Sequence, residues 1–86
     1  MSIKSVTIHV DYRLDSARLI IPTKIYLRDE EGLTIYNVHR IIRRDNERID
    51  GVLVTTFTCE IEGEDIKQLC DVRYMQDSKE WRLLRI

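Results

Sequence analysis

Apolar and polar residues alternate through five separate runs of this chain. That period of two constrains the fold more than any other feature, because only strands send successive side chains to opposite faces. In the first run Val6, Ile8, Val10 and Tyr12 alternate with Thr7, His9 and Asp11, which assigns the first set to a buried face. A second strand is expected over residues 19–28. Pro22 within it lacks the N–H that a central ladder needs, so the strand is an edge or begins near the proline. Asp29, Glu30, Glu31 and Gly32 then form a turn, leading into a strand over 33–43. That strand is apolar on both parities near Ile35, Tyr36, Ile41 and Ile42, which predicts cover on both faces or a bulge.

Residues 44–51 are polar and end in Asp50-Gly51, a hairpin turn signal, after which Leu53, Thr55, Phe57, Cys59 and Ile61 form an inward set. A loop of Glu62, Gly63, Glu64 and Asp65 sets Ile61 opposite Ile66, Cys59 opposite Gln68 and Phe57 opposite Cys70. A loop of Gln76, Asp77, Ser78 and Lys79 sets Tyr74 opposite Trp81 and Val72 opposite Leu83. With 86 residues the chain makes one domain, 1–86, whose thin core rests on a few aromatic and branched side chains. Five or six antiparallel strands in so short a chain lose their edges best by curling. The expected fold is therefore all-β, a small antiparallel meander or SH3-like barrel of five to six strands. A helix competes only near residues 64–72, where Glu64 and Asp65 precede Ile66, Leu69 and Cys70 at helical spacing, giving an α+β alternative.

The chain resembles a group of short bacterial proteins, mainly from Gram-positive species, in three motifs of its C-terminal part. These are Tyr36, Val38 and Ile41; Thr58, Cys59, Ile61 and Gly63; and Trp81 with Leu83. The group carries no assigned activity, and the resemblance implies a small β domain of unknown function.

Composition and charge remove several function classes. A net charge of −1 lacks the basic excess that usually accompanies nonspecific nucleic-acid binding. No stretch of 18 apolar residues could cross a bilayer as a helix, and Met1 to Ser5 lead straight into a strand pattern without a signal-peptide core. A cytoplasmic protein without membrane contact is the expectation. His9 and His39 are far apart in the sequence and fit surface positions of strands, and no metal-ligand spacing occurs. Gly32, Gly51 and Gly63 fall singly in turns and form no phosphate loop. Asp29, Glu30 and Glu31, like Glu60, Glu62, Glu64 and Asp65, read as solubilising turn carboxylates. The register above makes Cys59 and Cys70 diagonal neighbours, too far apart to bond, so both are read as reduced, buried hydrophobes. No catalytic set, metal or cofactor is expected, and the chain is not read as an enzyme.

Charge is the one feature that points to a surface. Arg40, Arg43, Arg44 and Arg48 stand against Asp45 and Glu47, whereas Glu60, Glu62, Glu64, Asp65 and Asp71 stand against Lys67 alone. One hairpin end should be basic and the other acidic, which can steer a partner or promote self-association. The expected function is a non-catalytic protein-interaction module in which exposed Arg43, Arg44 and Arg48, around the loop before Gly51, meet an acidic protein surface. The alternative is a nucleic-acid-binding accessory protein using the Arg40 to Arg48 segment, with Tyr26 or Tyr36 stacking on bases. Whether those tyrosines share an outer face with the arginines separates the two.

Overall fold

In the computed structural model, which describes residues 6–86, six antiparallel strands follow one another around a closed barrel. They are β1 (Val6–Leu14), β2 (Ile20–Asp29), β3 (Gly32–Ile49), β4 (Val52–Glu62), β5 (Lys67–Met75) and β6 (Glu80–Arg85). Closure comes from β1 pairing with β6 through Val6 with Leu83, Thr7 with Arg82 and Ile8 with Trp81. The chain is thus all-β, as the alternation predicts, and residues 67–75 form a strand where a helix competed. Among the described residues no helix is long and apolar enough to cross a membrane. Met1 to Ser5 and the Val6 side chain lie outside the described residues.

The core is the inner face of the barrel. Val10, Ile25, Phe57, Cys59, Ile61, Cys70, Val72, Tyr74, Trp81 and Leu83 pack into one cluster. Tyr74 and Trp81 face each other across β5 and β6 with ring centroids 4.9 Å apart, the pair that the four-residue loop predicts. Tyr12, expected on the buried face, is half exposed, with one side of its ring against Tyr74 and Trp81. Val54 is buried but lies outside this cluster, on the opposite parity from Phe57.

The β4 to β5 register differs from expectation by two residues. Glu62 pairs with Lys67, Ile61 with Gln68, Cys59 with Cys70 and Phe57 with Val72. A shift of two leaves every side chain on its original face, so alternation cannot detect it, and turn chemistry decides. Here the Gly63 N–H donates to the Ile66 carbonyl at 2.9 Å, closing a loop that leaves Ile66 exposed. Cys59 and Cys70 are therefore directly opposite one another, not diagonal, at a separation that strand geometry makes compatible with a disulfide. Both are free thiols, almost fully buried, and the hydrogen bond to Cys59, followed by burial, pushes the Cys70 thiol up. Protection by burial replaces distance as the reason for their persistence. Iodoacetamide is expected to modify neither under native conditions and both after unfolding; rapid labelling of the native protein would show the barrel to be open at this point.

β3 is 18 residues long, and straight it would run about 60 Å, whereas the longest dimension of the molecule is 36 Å. It has to bend. Two bulges do so: His39 is extra between the pairs Val38 with Ile61 and Arg40 with Glu60, and Ile42 is extra between Ile41 with Cys59 and Arg43 with Thr58. The second bulge accounts for the adjacent pair in which Ile41 packs against the core while Ile42 faces out. Ile35 and Tyr36 instead lie in regular pairing, with Tyr36 against the core and Ile35 exposed. The polar stretch after Arg43 is not a loop. It continues β3 to Ile49, pairing with β4 as far as Ile49 with Val52, and the connection shrinks to Asp50 and Gly51. Both have positive φ, 50° and 82°, the conformation of a two-residue hairpin turn.

Candidate functional site at the open end of the barrel

β3 changes partners along its length. It pairs with β2 only over 32–37 and with β4 over 37–49, while residues 20–22 of β2 pair only with β1 and Thr23 is bulged. Beyond Asn37 the two strands therefore diverge. Pro22 sits in this unpaired part of β2, where its missing N–H costs no ladder bond with β3, so the expected edge position holds locally. The gap opens toward the end of the barrel that carries the 15–19 connection, the Asp50-Gly51 turn and the 76–79 connection.

An open cavity of about 330 Å³ occupies this end. Its floor is Phe57 and Tyr74 from the core, and its walls include Arg44, Asn46, Thr55 and Leu19. Phe57 is 1% exposed and stacks on Trp81, so the cavity is blind below. The connection between β1 and β2 is held by Asp15, whose Oδ1 accepts from the N–H groups of Ala17 (2.8 Å) and Leu19 (2.9 Å). That local bonding sets Arg18 (φ 63°) and Leu19 on the rim. The Thr55 hydroxyl donates to Asn46 Oδ1 at 2.7 Å, which leaves the Asn46 amide N–H₂ without a protein acceptor among the described residues.

The four arginines do not act as one patch. Arg40 and Arg43 lie on the outer face, with Arg40 Nε 3.4 Å from Glu60 Oε1 and Arg43 Nε 2.7 Å from Asp45 Oδ2. Glu60 also meets His39 at 3.8 Å. Arg44 has the opposite parity and points inward, half-buried in the cavity wall. This corrects the expectation that it is exposed: the second bulge turns Arg43 out and Arg44 in. Arg44 Nη2 donates to the Ile20 carbonyl at 2.9 Å across the gap, and its guanidinium lies 5.2 Å from the centre of the Phe57 ring. It makes no ion pair among the described residues. A guanidinium has five N–H donors, so most of its donor capacity remains unused. Arg48 shares the face of Arg44, is exposed, and donates to the Gly51 carbonyl at 3.2 Å.

The two tyrosines also part company. Tyr36 lies against the core, whereas Tyr26 is on the outside, where its hydroxyl donates to Asp11 Oδ2 at 2.7 Å and its ring meets His9 at 5.0 Å. That hydrogen bond holds the Asp11 carboxyl below the usual carboxylate range and pushes the Tyr26 hydroxyl up. A carboxylate beside the one outward tyrosine of the pair repels phosphate, and neither ring joins the arginines in a stacking platform.

Charge divides between the two ends as expected in part. The turns at one end carry Asp29, Glu30, Glu31, Glu64 and Asp65, all exposed. The turns at the other end are mixed; Arg18 and Arg44 line the opening itself, and Arg48 follows on the same face of β3. Arg18, Leu19, Asn46 and Thr55 escape a reading of the sequence by charge clusters, though the Asp15-Ser16 turn signal marks where the rim lies. Among the described residues no group of three His, Cys, Asp or Glu side chains could hold a metal ion. Compared with known proteins, the chain matches no family model, no curated protein and no solved structure.

Proposed function

We propose that this protein is a non-catalytic protein-interaction module whose working surface is the basic opening between β2 and β3 and whose partner presents carboxylates. The observation that supports this most is Arg44, an inward guanidinium in an open cavity without an acid partner. Placing a cation against apolar surface without a carboxylate costs stability, and a bound carboxylate offsets that cost. Arg is also the residue suited to it, since its planar fork donates two parallel hydrogen bonds to a carboxylate. Arg40 and Arg43 already have acids and contribute less.

The test compares wild type with Arg44→Gln/Arg48→Gln in pull-downs from the native host, alongside titrations with single- and double-stranded DNA and RNA at low salt. Retention of an acidic protein that the double substitution removes is the expected outcome. Tight, salt-steep nucleic-acid binding that the same substitution abolishes would overturn the reading in favour of a phosphate ligand.

A further inference from the structure

The diverging strands leave more than a cavity. From Arg43 to Ile49, β3 pairs residue by residue with β4, from Arg43 with Thr58 to Ile49 with Val52, with no bulge. On its other side this stretch meets no strand among the described residues, because pairing with β2 ends at Asn37. A regular strand with one free side is a template for a further strand. Proteins usually deter such pairing with bulges and charges, and both occur here: the bulges at His39 and Ile42 spoil the first half of the free edge, while the second half is charged but regular.

Those charges are sorted by face. The outer set, Arg43, Asp45 and Glu47, is mixed; the inner set, Arg44, Asn46 and Arg48, is basic and polar. Mixed charges repel no partner strongly, whereas a single-sign inner face rejects cationic strands and selects acidic ones. We propose that the partner binds as an added β-strand along the free edge of residues 43–49, with acidic side chains four residues apart opposite Arg44 and Arg48 and a polar one between them opposite Asn46. The spacing follows from the period of two, since residues 44, 46 and 48 share a face and so do their cross-strand neighbours. Arg44 already reaches across the gap to the Ile20 carbonyl, so its guanidinium lies beneath the line such a strand would follow. This rests on the reading of the opening as a protein-binding surface, and adds how the partner is held.

The probe is the blocked heptapeptide Ac-Thr-Glu-Val-Thr-Val-Glu-Thr-NH2, followed by NMR titration and amide exchange on the full chain. Three comparisons accompany it: the peptide with both Glu replaced by Gln, the acidic peptide N-methylated at alternate backbone nitrogens in each of the two phases, and the protein variants Arg44→Gln/Arg48→Gln and Arg40→Gln. The acidic peptide should slow exchange in residues 43–49. Loss of its acids, or the Arg44→Gln/Arg48→Gln change, should weaken it about tenfold or more, and one N-methylation phase should abolish binding while Arg40→Gln changes little. Equal binding of both N-methylated peptides would overturn the added strand but leave the basic opening standing as an acid-binding surface. Absence of binding at millimolar peptide would also overturn the strand proposal, and the wider reading then falls only if the pull-down is negative too.

Discussion

Trp81→Ala is expected to lower the stability of the barrel by about 3–5 kcal/mol, the range for removing a large buried aromatic. Trp81 is 5% exposed and its ring meets those of Tyr12, Phe57 and Tyr74, at 6.1, 5.8 and 4.9 Å. It also stands at the closure point, where β6 pairs with β1 through Ile8. One deletion therefore removes the packing beneath both the aromatic cluster and the seam. A domain of this size commands on the order of 5–10 kcal/mol in total, so the variant should be partly unfolded at room temperature or melt far below wild type. Urea unfolding checks it; a soluble variant with an unchanged midpoint would mean that the seam does not depend on this ring.

Phe57→Ala should cost a similar amount, about 3–5 kcal/mol, but for a reason that joins the core to the opening. Phe57 is the fully buried side chain that touches both, stacking on Trp81 below and carrying the Arg44 guanidinium at 5.2 Å above. Alanine would leave a void under the cavity and strip Arg44 of its platform. Phe57→Leu separates the two effects, because it keeps over half of the side chain, costs about 2 kcal/mol, and still loses the cation–π contact. The expected result is a folded leucine variant in which the Arg44 side-chain N–H resonance moves as the ring current disappears. An unmoved resonance would show that the guanidinium does not rest on the ring.

Parts of this fold can be read from the residues alone, and the reasons differ from strand to strand. The β5 to β6 register follows from a four-residue polar loop bounded by Tyr74 and Trp81, two large side chains with one sensible partner each. The β4 to β5 register does not, because placing the loop at 62–65 or 63–66 changes the pairing by two and leaves the pattern of faces intact. The end of β3 is harder still. Arg43 to Arg48 carries no apolar residue, and a strand there is held by its ladder to β4 and not by burial, which is a long-range fact that local composition lacks. The arginines of the candidate site are visible as a charge cluster. Their division into two outward, acid-paired side chains and two on the inner face depends on where the bulges fall, and a run apolar on both parities signals a bulge without fixing its position.

The two bulges of β3 also loosen the tie between chain length and chemistry. Elsewhere in a strand, adding or losing one residue turns every following side chain to the wrong face. His39 and Ile42 are unopposed, so either could be lost with the flanking pairs Val38 with Ile61, Arg40 with Glu60, Ile41 with Cys59 and Arg43 with Thr58 all kept. Loss of Asp45, a few residues on, would instead force a choice between breaking the ladder and turning inward what now points out. The strand thus contains two spare positions at which its descendants can shorten without rewriting the opening, followed by a segment in which length and charge pattern are fixed together.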